Sequence, residues 1–215
     1  MQIDNIDRLV LGLLVAGMFI AGFNEFQLMG MGSMNAPSNT IQGQAIMQQG
    51  VQAQPAKENL PDIFPKGMPR IYGAELSVSY DDISLQDQKK ADGTIAKLGR
   101  LDTGIRLSGE EKERYISIAS QISCEYCCGT DSIIFQNGEA ACGCQHSFAM
   151  RGVAKYLIRN HGSEFTDDEI LEELGKWKTL FFPDIMAEKA AVMQKKGIEL
   201  NYINIASNKY RGIEN

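Results

Sequence analysis

All five cysteines of this 215-residue chain lie between Cys124 and Cys144. A disulfide scaffold spreads its cysteines so that bridges staple distant segments. Clustering of this kind confines sulfur chemistry to one loop and leaves the rest of the fold to an ordinary core. The 44% hydrophobic content is sufficient for such a core. Written as spacing, the loop is C-x2-C-C-x13-C-x-C-x-H, formed by Cys124, Cys127 and Cys128 and then by Cys142, Cys144 and His146. Tetrahedral metal sites draw two close ligands from one turn and two more from a second turn or a helix start, because each pair then orders little extra chain. Both pairs are present, and Gly129, Gly138 and Gly143 are placed to make the tight turns between them. Cys142 and Cys144 directly precede a helical pattern whose first turn contains His146. The partial positive charge at such a helix start favours the thiolate, the form that binds metals and attacks disulfides.

These residues admit three chemistries. The first is a metal centre built from Cys124, Cys127, Cys128, Cys142, Cys144 and His146. Five thiols and an imidazole exceed the four ligands of one zinc ion and leave room for a second ion or a Cu(I) cluster, with an iron–sulfur cluster the less suited alternative. The second is thiol–disulfide exchange through Cys124 and Cys127, as an oxidoreductase or a thiol chaperone. The third is structural pairing of four cysteines with one left free. The odd count and near-adjacent positions disfavour it, since neighbouring cysteines meet ordinary disulfide geometry only under strain.

Around the loop the apolar periodicity is helical. Ser108 and Glu111 form a capping-box pattern, after which Tyr115, Ile118, Ala119 and Ile122 repeat on one face. A helix is expected from about His146 to Asn160, with Met150, Val153 and Leu157 inward, His146 turned to the same side and Gly162 as the stop. Thr166 and Glu169 form a second capping box, opening a helix with the stripe Ile170, Leu171, Leu174, Trp177 and Phe181. Pro183 closes it, Asp184 caps a last helix and Gly197 stops that one. Residues 84–98 read as a further helix. Alternation of Ala74, Leu76, Val78 and Tyr80 with polar residues reads as one short strand. The expected fold is mainly α, a small antiparallel helical bundle with an inserted Cys/His loop. Trp177, Phe181 and Phe182 are expected to be core or an apolar edge for a protein partner, and His161 a charge partner at a helix end.

Residues 9–23 form an uncharged apolar run that reaches membrane-spanning length through Phe26, Leu28 and Met29 when Glu25 sits at the interface. We read 1–29 as a signal-anchor helix and 30–58 as a Gln-, Asn- and Ser-rich flexible tether. Residues 59–107 form a lead-in segment with the strand and a helix, 108–200 the helical Cys/His domain and 201–215 a C-terminal tail. Arg8 precedes the span, and no Lys or Arg follows it before Lys57, which places the body of the protein outside the cytoplasm of a single-pass membrane protein. With 27 acidic against 21 basic residues and a net charge of −6, no nucleic-acid partner is expected. The sequence carries no nucleophile elbow, phosphate loop or dinucleotide fingerprint, so any enzymatic role falls to the thiols.

From Cys124 to Pro183 the chain resembles the thiol-bearing domain of cytochrome c maturation haem-lyase subunits. The resemblance is carried by Cys124 and Cys127, the run Ala149-Met150-Arg151, the helix start Thr166-Asp167-Asp168-Glu169-Ile170 and the closing Pro183. It implies a membrane-anchored protein with an outward three-helix domain whose two cysteines reduce disulfides on apocytochrome. Cys128, Cys142, Cys144 and His146 are additions to that pattern. The stretch Cys142-Gly143-Cys144-Gln145-His146-Ser147 is similar to part of a bacterial lipoprotein family named for its Pro-Cys-Tyr-Cys-Gly-Cys motif. Here the proline is absent and no lipobox cysteine follows the apolar run. These readings lead to one expectation: a membrane-tethered, extracytoplasmic protein that holds zinc or Cu(I) for storage, sensing or delivery. A thiol–disulfide oxidoreductase and a zinc-stabilised interaction module are the alternatives.

Overall fold

Apolar residues at three-and-four spacing become helix wherever the second half of the sequence carries that pattern. The computed structural model describes residues 62–215, so the anchor, the tether and the first residues of the lead-in segment lie outside the described residues. The described part is mainly helical. It runs through α1 (Gly73–Leu76), a 3-10 turn (Tyr80–Asp82), α2 (Gln88–Gly104), α3 (Gly109–Ala119), α4 (Gln145–His161) and α5 (Asp167–Phe181). It continues through α6 (Pro183–Lys195) and α7 (Tyr202–Ala206) to a last 3-10 turn (Asn208–Tyr210). Among the described residues no helix is long and apolar enough to cross a membrane.

Helix α4 is the hub, packing against α2, α3 and α5. Ala149, Met150, Val153, Ala154 and Leu157 are each 1% exposed or less. Burying each of the larger side chains contributes about 1.5–3 kcal/mol relative to leaving it in water. The closest approach is at Gly152, where an added Cβ would lie 2.1 Å from the Leu98 carbonyl oxygen of α2. Helix α5 begins at the expected capping box, with Thr166 Oγ1 accepting from the Glu169 N–H and the Glu169 carboxylate accepting from the Thr166 N–H. Its stripe of Ile170, Leu171, Leu174, Trp177 and Phe181 is buried as expected.

Several local expectations are corrected. The stretch expected as a strand is instead the helical turn α1 followed by the 3-10 turn. Ser77 ends α1 in the left-handed region with φ 50°, and Ala74 faces solvent, so the alternation does not persist as a buried face. Tyr72, Val78 and Tyr80 go inward instead, and the Tyr72 and Tyr80 hydroxyls both donate to the Glu173 carboxylate of α5, at 2.7 and 2.5 Å. The only β pairing among the described residues is two isolated bridges, Ile122 with Ser207 and Ile134 with Ala140. Ser108 precedes α3 without a side-chain cap bond. Asp184 lies in the first turn of α6 behind Pro183 and is not its cap. The segment read as a tail contains α7, with Ile205 and Ala206 each 1% exposed.

Candidate functional site

The cysteine loop spans the gap between α3 and α4, and its two halves are built differently. In the first half, Ile122 pairs with Ser207 and the Cys127 and Cys128 N–H groups both fold back onto the Cys124 carbonyl, at 3.3 and 3.2 Å. That turn places Cys124, fully buried, on the same side as the exposed Cys127. Between them, Glu125 turns inward. Its carboxylate accepts from Lys178 Nζ of α5 at 3.0 Å and from Lys189 Nζ of α6 at 3.3 Å, and both lysines are completely buried. Arg211 Nε lies 3.7 Å from the same carboxylate. One anion thus faces two buried cations, at the residue next to Cys124. Burial pulls the Lys178 ammonium down to about 8, and Glu125 works against that pull. The Glu125 carboxyl is held below its ordinary value, because the two lysines outweigh the upward push of burial.

The second half is held by its own downstream helix. The chain reverses at a turn in which Gly138 has φ 84°, and Ala141 N–H then returns to the Ile133 carbonyl at 3.1 Å. Gly129 also takes a positive φ, whereas Gly143, expected to serve the same purpose, does not. Arg151 Nη1 of α4 donates to both the Ile133 and the Cys142 carbonyls, at 3.2 and 2.9 Å. Its Nε donates to Asp102 of α2 at 2.8 Å. Cys144 is the N-cap residue of α4, with its sulfur accepting from the Ser147 N–H at 3.3 Å.

These two halves bring the sulfurs together. The Sγ atoms of Cys124, Cys127 and Cys144 all lie within 4.8 Å of one another. Cys124 and Cys144 lie 3.2 Å apart. Cys128 and Cys142 are joined as a disulfide, and Cys144 lies within 4.8 Å of both of its sulfurs. Cys144 therefore belongs to both groups. The hydrogen bond shared with the Cys124 sulfur, reinforced by the Ser147 N–H at the helix start, pulls Cys144 down to about 4, against the opposing effect of its burial. The same hydrogen bond, together with burial, pushes the Cys124 thiol up. The contact and the helix start thus favour the thiolate at Cys144 over one at Cys124. A cluster of three thiols of this spacing can hold a metal ion.

The structure accordingly separates the six residues expected to act together. Cys124, Cys127 and Cys144 converge. Cys128 and Cys142 are bonded to each other, which removes both as thiolate ligands while the bond stands. His146 is not in either sulfur group. Its ring stacks on Phe181 at 4.8 Å and meets the edge of Phe182 at 5.0 Å, where burial lowers its basicity. The inward direction expected for His146 holds, but it points to the aromatic end of α5. Trp177 is core: it is fully buried, and its indole N–H donates to the Tyr72 hydroxyl at 2.8 Å. It therefore offers no surface for a partner.

The residues that sequence reasoning missed are the charged ones beneath the loop. Lys178 falls on the apolar stripe of α5, one turn beyond Leu174, and Lys189 lies three residues after the buried Met186 of α6. A lysine in step with a buried stripe is the signal that could have found them, since such a residue is seldom fully buried without a partner. No family model matches the chain, and neither does any curated protein or solved structure. The two motif resemblances therefore stand on their own residues.

Proposed function

We propose that this is a membrane-tethered, extracytoplasmic protein that binds one soft cation, Cu(I) or zinc, through Cys124, Cys127 and Cys144, for storage, sensing or delivery. The observation that carries the reading is the convergence of three sulfurs within 4.8 Å with no imidazole or carboxylate among them. Three thiolates suit Cu(I), and on zinc they leave a fourth position open to an incoming ligand. Cys127 is exposed and gives the ion a route in and out, whereas Cys124 is closed to solvent. An iron–sulfur cluster fits less well, since it ordinarily takes four cysteines. The surplus positive charge around Glu125 offsets the negative charge that a metal–thiolate centre carries. The Cys128–Cys142 disulfide supports an oxidising compartment. The apolar run at 9–23 supports the tether.

Thiol–disulfide exchange is the second reading, favoured by the Cys144 sulfur lying within reach of the Cys128–Cys142 bond. There the Cys144 thiolate would attack Cys128, forming a Cys144–Cys128 bond and releasing Cys142 as thiolate, with no net change in oxidation state. This differs from the expectation that Cys124 and Cys127 form the working pair.

One experiment separates the two. The protein is purified anaerobically, titrated with zinc and with Cu(I), assayed for bound metal and alkylated before its disulfides are mapped. Metal binding predicts one ion per chain, with Cys124, Cys127 and Cys144 protected and Cys128–Cys142 intact. Absence of stoichiometric metal, together with a population of Cys128–Cys144 bonds, would overturn it in favour of exchange.

A further inference from the structure

Arg151 does more than hold the loop. Its Nη2 is buried without a hydrogen-bond partner among the described residues, and so is the Tyr115 hydroxyl. The two side chains are 1% and 2% exposed, and both line a cleft of about 510 Å³ between the end of α2, helix α3, helix α4 and the turn at 138–140. Native interiors rarely leave such groups unpaired, and each one calls for a partner that completes it. Arg151 cannot turn to find one elsewhere. Its Nε is bonded to Asp102, its Nη1 to two loop carbonyls, and its guanidinium lies 4.6 Å over the Phe148 ring. Both groups are able to donate, so the missing partner is an oxygen acceptor.

Charge gives the sign of that partner. Arg106, Lys112, Arg151 and Lys155 line the cleft against Asp102 and Glu139, four cations to two anions. Asp102 is already committed to Arg151 at 2.8 Å and to Lys155 at 2.7 Å. Leu107 and Phe148 add apolar wall, and the volume exceeds what a bare inorganic ion needs. We propose that this cleft binds a small organic oxyanion, a carboxylate or phosphate monoester. Its acid group accepts from Arg151 Nη2 and the Tyr115 hydroxyl, and its carbon body lies against Leu107 and Phe148. The site is separate from the three thiols and does not rest on the metal-binding reading.

The test is calorimetric titration of the full chain with inorganic phosphate, phenyl phosphate and phenylacetate. Saturable one-to-one binding is expected for one of the organic acids, tighter than for inorganic phosphate, and the acid preferred identifies the head group. Tyr115→Phe keeps the ring and removes one donor. It is expected to weaken that binding at least tenfold, which corresponds to about 1.4 kcal/mol. Because it deletes an unpaired hydroxyl, the unliganded variant is expected to melt no lower than the wild type, so loss of binding is not loss of fold. The proposal is overturned if none of the three acids binds saturably, or if Tyr115→Phe leaves binding within twofold. A lower melting temperature for the unliganded variant also overturns it, since that assigns the hydroxyl to an internal water.

Discussion

The two halves of the cysteine loop sit a few ångströms apart and are anchored by opposite strategies. Residues 124–128 are tied to distant parts of the chain: Glu125 reaches lysines 53 and 64 positions away, and Tyr126 donates to Glu214 at 2.8 Å across 88 positions. Residues 142–144 are tied locally, by the helix they introduce and by Arg151 nine residues on from Cys142. The first half is thus placed by the assembled fold and the second by one helix. The thiol trio takes Cys124 and Cys127 from one and Cys144 from the other, so it exists only when both anchors are in place.

Breaking the long-range anchor has the largest expected effect. Glu125→Ala leaves Lys178 and Lys189 buried without their shared anion, a change expected to cost about 3–5 kcal/mol in urea unfolding. Glu125→Ala together with Lys178→Met and Lys189→Met is expected to recover much of that loss, which separates unpaired charge from lost shape. If Glu125→Ala alone unfolds like the wild type, the first half is not held by this network.

The covalent tie between the halves comes next. Cys128→Ser with Cys142→Ser opens a 14-residue loop, with an expected loss of about 3 kcal/mol on chain-entropy grounds. Arg151 and the α4 cap remain, so on the proposed metal-binding function the double variant is expected to bind one ion per chain as the wild type does. Loss of the ion would show that the disulfide, and not the two anchors, positions the trio.

The smallest effect tests a charge contact remote from the loop. His161 bonds Glu164 at 2.7 Å and Glu75 at 3.0 Å, and although burial pulls its basicity down, these bonds raise it above the ordinary 6.5. A raised base stabilises fully below its unfolded value, and the contribution is lost as pH rises through the folded one. Wild type is therefore expected to exceed His161→Gln by about 0.5 kcal/mol at pH 5.5, with the gap shrinking by pH 8, both carboxylates being half exposed. A gap that does not shrink removes the charge contact. It also leaves the comparison of the loop halves untouched, which makes it a control for the other two.

What the sequence disclosed divides along the same line of range. The capping box at Thr166 and Glu169, the inward stripes of α4 and α5 and the stop near Gly162 are decided within one or two turns, and each is observed. The position of Cys144 before a helix start was equally local and equally legible. Which sulfurs meet was not, because the Cys128–Cys142 bond and the exclusion of His146 depend on where Arg151 and Phe181 stand in the folded bundle. The Trp177 stripe announced burial or docking with the same residues, and only the hydroxyl of Tyr72, 105 positions away, decides for the core. The strand expected at 74–80 failed for a related reason, since Glu173 claims Tyr80, which alternation had assigned to a sheet, together with Tyr72.

The segment after α7 closes over the loop. Asn208 N–H reaches the Gln121 carbonyl at 2.8 Å, Arg211 donates to the Gly129 carbonyl and to Asp131, and Glu214 receives Tyr126. Read as a sequence of events, this sets a timetable. While the chain is being made, all five cysteines emerge well before residues 208–214, and during that interval the contacts that close over residues 121–131 are still missing. In an oxidising compartment such an interval favours mispairing, and contacts that span so much sequence form late. The half of the loop that carries Cys124 and Cys127 is therefore completed by a short stretch that contains no cysteine at all.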